Sequence, residues 1–247
     1  MNQRRPPLVT VITVNYNQAG ALEKTIRSVV DQNYEQMEYI VVDGASTDKS
    51  VSVIRTYEDR IAAWVSEKDN GIYHAMNKGL GMATGKWCCF LNSGDVFAGN
   101  SVVRRVASVL LSHRPDVLYG NILVERPDGS LHERIAGAPC NKHRMYFCHQ
   151  SAFVRTYVLR YYGFDETHSM SADLKFFKQC YHDECSFVHL PQPLVVYDTT
   201  GLSHTDRIRG LRDNIAVVKE VDRGIEKHLF LLRLYFVICW RTLTGKN

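Results

Sequence analysis

The stretch KWCCFLNSGDVF, residues 86–97, decides the fold. Its apolar run is long enough to cross a sheet and stops abruptly in Asn92-Ser93-Gly94-Asp95. A strand that needed only to end could do so in Asn-Gly or Ser-Gly, which supply turn geometry at little cost. A carboxylate at its carboxyl end therefore needs a reason of its own. Upstream, LVTVITV (8–14), YIVVD (39–43) and IAAWVSE (61–67) are three more short strand signals. Between them lie helical patterns, the first with Leu22, Ile26, Val29 and Val30 on one face, the third with Ile72, Ala75, Met76, Gly79 and Leu80 at core spacing. A second helix follows GASTD, with Ser46 or Thr47 as its expected cap. Strand and helix signals in alternation predict parallel strands joined by crossover helices. All four strands end in polar residues: Asn15 and Asn17, Asp43, Glu67 through Asn70, and Asn92 through Asp95. In an open parallel sheet these ends share one edge, where ligands bind, so four polar clusters are expected to converge on one crevice.

Composition narrows the function classes. A chain of 247 residues, 45% hydrophobic and 23% charged, has room for one α/β domain with a substantial core. The net charge of +4 is too small to argue for nucleic acid. The N-terminal MNQRRPPLVTVITVNYN lacks the apolar core of a signal peptide, so a cytoplasmic location is expected. Seven cysteines, none in a C-x-x-C pair, are expected to be reduced thiols. Cys180, His182 and Cys185 are one ligand short of a structural zinc site. No G-x-G-x-x-G follows either of the first two strands and no G-x-x-x-x-G-K-[ST] is present, which removes the dinucleotide fingerprint and the P-loop.

Beyond residue 100 the alternation breaks down. PDVLYGNILVERPDGSLHERI predicts two strands around a Pro-Asp-Gly-Ser turn, and DLKFFKQCY a short helix. LPQPLVVYD predicts a strand that its prolines should confine to a sheet edge. From about Asp206 to Thr242 the chain should be helical. Its twelve-residue block LFLLRLYFVICW (229–240) is too short to span a bilayer and contains Arg233. With Arg223, Lys227, Arg241 and Lys246 around it, it fits either an interfacial anchor or a helix buried against the domain or a second subunit.

The segments VTVITVNYN, YIVVDGASTD, SEKDNGIYHAMNKGLGMATG and FLNSGD, in this order, resemble the N-terminal half of family 2 inverting glycosyltransferases with the GT-A fold, especially bacterial exopolysaccharide and O-antigen transferases. HQSAFV, GFDE, SADLKFF and TTGLS resemble that family's later segments more weakly. The resemblance implies an α/β GT-A fold with a mixed, mostly parallel sheet flanked by helices and a C-terminal helical extension. It implies a sugar-nucleotide half over residues 1–98, an acceptor half over 99–205 and the extension over 206–247. Asp95 would hold a divalent cation, Mn²⁺ or Mg²⁺, that neutralises the departing diphosphate, although Asn92 stands where the family often has an aspartate. Asp43 would contact the donor base within the Thr13, Asn15, Tyr16 and Asn17 turn, while Asp69, Asn70, Asn77 and Lys78 would line the ribose and diphosphate. His149 and Gln150 would face the acceptor, and His204 the diphosphate. Asp173, at the start of an acceptor-side helix that Ser171 can cap, would be the catalytic base, with Asp165 and Glu166 as competing carboxylates.

The implied substrates are a UDP- or GDP-type sugar and a saccharide carried on polyprenyl diphosphate. The implied location is the inner face of the cytoplasmic membrane. Lack of a Q-x-x-R-W element and of spanning helices favours single additions over processive synthesis. Two other readings stay open: a sugar-1-phosphate nucleotidyltransferase, whose glycine-rich loop VNYNQAG does not supply, and an inactive sugar-nucleotide-binding or assembly protein.

Overall fold

The computed structural model describes residues 8–126, 128–200 and 206–244. The chain runs β1 (Val9–Asn15), α1 (Ala19–Val30), β2 (Met37–Asp43), α2 (Ser50–Thr56), β3 (Ala63–Ser66), α3 (Ile72–Met82), β4 (Trp87–Phe90), β5 (Val96–Phe97) and α4 (Val102–His113). It continues through β6 (Val117–Glu125), β7 (Leu131–Arg134), β8 (Ala152–Arg155), α5 (Thr156–Tyr162), α6 (Ala172–His182), β9 (Phe187–Tyr197), α7 (Arg207–Val221) and α8 (Gly224–Thr244). The strands form one sheet in the order β3-β2-β1-β4-β8-β6-β9-β5, with β7 paired to β6. The first four strands are mutually parallel and the rest is mixed.

β1 is buried along its whole length because helices cover both faces of the sheet, which is why it is an unbroken apolar and β-branched run. Alternate residues enter different layers. Val9, Val11, Tyr39, Val41, Trp87 and Cys89 pack with Leu22 and Ile26 of α1 and Val106 and Leu110 of α4. Ile12, Val14, Ile40, Val42, Cys88 and Phe90 pack with Met76 of α3, Val158 of α5 and Phe176 of α6. The adjacent cysteines thus belong to opposite layers, and all seven thiols are free. α3 meets the sheet at Gly79, where a Cβ would stand 2.5 Å from Ile12 Cγ2, so a larger residue would push helix and sheet apart.

Two local expectations are corrected. α2 begins at Ser50 rather than behind Ser46 or Thr47, because the Ser46 hydroxyl is spent on Asp43 and Asp48 accepts from Ser50 N instead. β9 is not an edge strand: it lies between β6 and β5. Its prolines fit because the β6 register jumps from Gly120↔Leu190 to Asn121↔Pro193, while β5 pairs only with Val195 and Val196. The C-terminal extension is helical as expected, in two helices: α7 ends at Val221 and α8 begins at Gly224, whose φ is 62°. α7 and α8 share a small core of Ile215, Val218 and Leu234. No helix among the described residues is long and apolar enough to cross a membrane.

Candidate active site at the carboxyl edge of the sheet

Parallel register sets Asn15, Asp43 and Ser66 side by side at the ends of β1, β2 and β3. Asp43 is fully buried and is the knot of this edge. Its Oδ1 accepts from Asn15 Nδ2 at 2.7 Å and Ser46 Oγ at 2.6 Å, and its Oδ2 from Ser46 N at 2.9 Å and Ser66 Oγ at 2.7 Å. Asn15 Oδ1 in turn accepts from Ser93 Oγ at 2.9 Å, which ties in the segment after β4. Asn17, with φ of 51°, holds the same loop by accepting from Thr47 N at 2.7 Å. Tyr16 stands beside it, largely exposed and open to stacking. Thr13 is fully buried, accepts from the Tyr39 hydroxyl at 3.1 Å and lies away from the cavity wall.

In front of this edge opens a cavity of about 1010 Å³. Asn15, Tyr16, Asp69, Asp95, His149, Gln150 and Asp173 all line it, so residues from across the chain meet there. Asn70, Asn77 and Lys78 do not. Asn70 is exposed. Asn77 clamps the segment after α5, donating to Phe164 O at 2.8 Å and Glu166 Oε1 at 2.9 Å while accepting from Phe164 N. Lys78 reaches Asp69 at 2.6 Å and Glu67 at 2.9 Å, holding the Asp69 carboxylate in place. Gly44 leaves room for both walls: a Cβ there would sit 3.1 Å from Asp69 Oδ2 and 3.3 Å from Tyr16. His204 lies outside the described residues.

The reason for the carboxylate after β4 is visible here. The β5–β9 pairing returns the chain so that Asp198 N donates to Asp95 Oδ1 at 2.9 Å. Gly94 makes this approach possible, because its φ is +101° and a Cβ would lie 2.2 Å from Asp198 Oδ2. Burial pushes the Asp95 carboxyl up to about 7, against the Asp198 amide, His149 and Gln150, which pull it down. The Asn92 side-chain oxygen Oδ1, in the same cavity wall, is buried without a partner. Asp198, Asp95 and Asn92 thus give one end of the cavity an oxygen-rich wall.

The same cavity is lined by Asp173, in the first turn of α6. Its Oδ1 accepts from the Tyr73 hydroxyl at 2.9 Å and its Oδ2 pairs with His149 Nδ1 at 3.0 Å. Burial works against its charge, but His149, Tyr73 and the Leu174 N–H outweigh burial and hold the carboxyl below its usual range. Ser171 occupies the N-cap position without capping: its hydroxyl donates to Asn214 of α7 at 2.6 Å. Asp165 is not in the cavity wall, since Lys175 Nζ holds it at 2.5 Å. Asp165, His168 and Glu220 come close enough to suggest a metal site. However, the Lys175 ammonium already bridges Asp165 and Glu220, and His168 pairs with Asp213 at 2.9 Å and Glu220 at 3.1 Å. This network fastens α7 to α6.

Sequence reasoning missed Asp198, Tyr73, Ser66 and Ser93. Asp198 ends a strand just as Asp95 does, and that signal was masked by the prolines before it. Tyr73 falls between the apolar positions of α3 and left no periodic trace.

The profile described as glycosyl transferase family 2 matches residues 10–174. An uncharacterized glycosyltransferase of Mycobacterium tuberculosis is 34% identical over 212 residues, 81% of this chain and 79% of that protein. A Mycobacterium bovis glycosyltransferase of PGL/p-HBAD biosynthesis is 30% identical over 60% of this chain and 59% of its own length. A putative teichuronic acid biosynthesis glycosyltransferase of Bacillus subtilis is 40% identical over 36% of each. Among solved structures, S. aureus TarS 1–349 in complex with UDP-GlcNAc superposes with a TM-score of 0.69 at 17% identity, covering 92% of this chain and 71% of that one. The Pyrobaculum calidifontis mannosyltransferase in complex with GDP-Man and Mn²⁺ gives 0.69 at 20% identity, covering 94% and 70%. With a GT-A-type α/β fold and a family profile spanning most of its length, the chain belongs to glycosyl transferase family 2.

Proposed function

We propose that the chain is a non-processive, inverting glycosyltransferase that moves one sugar from a nucleoside-diphosphate sugar to a saccharide acceptor in bacterial surface glycan synthesis. The observation that carries this reading is one cavity with an oxygen-rich wall at Asp95 and Asp198 and a carboxylate–imidazole pair at Asp173 and His149. Relatives named for glycolipid and teichuronic acid synthesis, and fold neighbours bound to UDP, UDP-GlcNAc or GDP-Man, support a UDP- or GDP-type donor. Asn15, Tyr16 and Asp69 would border the nucleotide, with Tyr16 as the face for the base. Asp43 acts through the loop it locks, because its oxygens already serve four donors. Thr13, Asn17, Asn70, Asn77 and Lys78 would support the site from behind its wall.

The residues fit a divalent cation. Asp95, Asp198 and the partnerless Asn92 oxygen form the hard donor set that Mg²⁺ or Mn²⁺ takes. When bound, the ion would supply charge neutralisation for the departing diphosphate. Gln150 donates to Asp95 and so would set its orientation. Single displacement needs a proton acceptor for the acceptor hydroxyl, and Asp173, in the same cavity, would serve as it.

α8 supports a place at a membrane surface. Its inner side packs Phe230, Leu231, Leu234 and Ile238 on α7. Ile225, Leu229, Leu232, Phe236, Trp240 and Leu243 recur every three or four residues and are exposed. With Arg223 and Arg233 also exposed, this stripe fits an anionic bilayer, where a polyprenyl-linked acceptor would be found.

The test is release of nucleoside diphosphate from a panel of UDP-, GDP- and dTDP-sugars with Mn²⁺ or Mg²⁺. One donor should turn over with the wild type, and both EDTA and Asp95→Asn should abolish it. Turnover unchanged by EDTA and by Asp95→Asn would overturn the metal role. Binding without turnover in any condition would overturn the transferase reading.

A further inference from the structure

We infer that Lys142, Arg144 and Arg233 form a binding site for the phosphoryl group through which a membrane lipid carries the acceptor saccharide. The inference rests on the transfer to a lipid-linked acceptor proposed above and deepens it, because it assigns the part of the acceptor that lies outside the cavity.

The loop between β7 and β8 lies against the C-terminal helices at residues 141–144. Asn141 Nδ2 donates to Glu226 Oε2 at 2.7 Å, Lys178 Nζ to Lys142 O at 2.9 Å and Asn214 Nδ2 to His143 O at 3.3 Å. The His143 ring packs on Phe230 of α8 with centroids 5.7 Å apart. Arg233 follows Phe230 by three residues, a spacing that sets side chains next to each other on a helix, so it reaches the same place. The imidazole feels this crowd: burial, and then Arg233, Arg144, Lys178 and Lys142, push His143 down to about 4. Of the four cations only Lys178 is neutralised, buried and paired with Asp222 at 2.9 Å. Lys142, Arg144 and Arg233 are exposed, and among the described residues none of them forms an ion pair. Unpaired cations gathered round one imidazole repel one another, and a multivalent anion relieves that repulsion. A phosphate ester is such an anion, and its oxygens match the guanidinium fork.

Two features assign that phosphate to the lipid of the acceptor. Arg233 stands four residues after Leu229 and three before Phe236, both in the exposed apolar stripe of α8, so the cations and the stripe adjoin on one helix. A free phosphate would use the cations and leave the stripe bare, whereas a lipid phosphate engages both. The loop also runs straight on from Arg144 into the cavity wall, where Met145, Phe147, Cys148 and His149 stand. The five residues from Arg144 to His149 span at most about 18 Å of chain. A short saccharide can therefore lie with its terminal sugar beside Asp173 and its lipid phosphate on the cationic patch. A bulk phospholipid has no saccharide to anchor in the cavity and gains nothing from that proximity.

The test uses the full chain and farnesyl diphosphate as the probe, with EDTA present so that no cation draws the diphosphate to the Asp95 wall. Flotation is measured with phosphatidylcholine vesicles carrying farnesyl diphosphate, with vesicles carrying farnesol, and with vesicles carrying phosphatidylglycerol at matched surface charge. The wild type should bind the first most tightly. Arg144→Gln combined with Arg233→Gln should weaken that binding roughly 10–30-fold without lowering Tm, since two basic residues near the anion are lost. Ring nitrogen-15 NMR gives a second readout: the bound anion should raise the His143 pKa from about 4 toward its ordinary value, because it offsets the cations around the ring. Equal binding to farnesol and farnesyl diphosphate, an unaffected double variant, or a His143 titration indifferent to the probe would overturn the proposal. Equal or tighter binding to phosphatidylglycerol would assign the patch to bulk phospholipid and overturn the carrier assignment. None of these readouts needs turnover. A chain that binds the probe as expected yet releases no nucleoside diphosphate from any donor would overturn the transferase reading and leave the lipid-phosphate site standing.

Discussion

Replacing Asp43 with asparagine keeps the side chain's shape and removes one of its two acceptor oxygens. The Ser46 N–H, 2.9 Å from Oδ2, cannot turn away, so the new carbonyl must face it and Ser66. The new NH₂ then meets Asn15 Nδ2 and Ser46 Oγ, which lie 2.7 and 2.6 Å from Oδ1. The Ser46 hydroxyl can rotate and accept. The Asn15 amide can reverse only by giving up the bond its Oδ1 accepts from Ser93 at 2.9 Å, so the mismatch either stays or moves to the segment after β4. Bonds to a charged acceptor are worth about 1.5–3 kcal/mol against about 1 kcal/mol for neutral ones, and an unsatisfied buried donor costs about 1–3 kcal/mol. The total loss is thus about 2–5 kcal/mol, since the contributions share partners and do not simply add. For a chain of this size each 1 kcal/mol moves Tm by roughly 2–4 °C, so Tm should fall by roughly 4–20 °C. Scanning calorimetry reads this directly, and sugar-nucleotide affinity should fall with it as the loop loosens. An Asp43→Asn protein melting within about 2 °C of wild type would refute the idea that this carboxylate locks the strand ends.

Gly94→Ala should cost about 1–3 kcal/mol from its positive φ and the crowding of Asp198; a denaturant midpoint and metal affinity both equal to wild type would contradict that geometry. Leu232→Glu combined with Phe236→Glu should abolish flotation with anionic liposomes without lowering Tm, because both side chains are exposed on α8. Retained flotation would remove the membrane role, and loss of a dimer by light scattering would assign the stripe to a second subunit. For His168, burial lowers the pKa but the Asp213 and Glu220 contacts outweigh it, so the folded value is raised. A raised value adds stability that is complete below the unfolded pKa of about 6.5 and is lost as pH rises through the folded one. Tm should therefore decline as pH rises above about 6.5, and His168→Gln should flatten that decline. A His168→Gln curve parallel to wild type would show that this network does not couple pH to stability.

The first half of the fold was legible because its chemistry is local. A fully buried parallel strand must be apolar along its length, and the residue that leaves the sheet is free to be polar, so Asn15, Asp43 and Asp95 were visible as the ends of runs. The second half was less so, because its order depends on partners distant in sequence. The prolines of β9 suggested an edge, and only the register jump against β6 explains how an inner strand carries them. The site divides along the same line. Asp173 was singled out through the family resemblance, and its partner Tyr73 lies 100 residues from it and is brought there by two helices packing on one sheet face. Asn77 and Lys78 have polar side chains in the right segment, yet the helix turns them toward Phe164 and Asp69, a distinction of about 100° per residue that spacing alone resolves poorly. Asp198 could not be joined to Asp95 without the β5–β9 pairing.

The most direct test of the whole account is a crystal structure of the chain with a nucleoside-diphosphate sugar and Mn²⁺. The account predicts the nucleotide in the cavity beside Tyr16 and Asp69, and the cation against Asp95 and Asp198. A cation at Asp165, His168 and Glu220 in place of Lys175, with the nucleotide bound away from the carboxyl edge of the sheet, would contradict it.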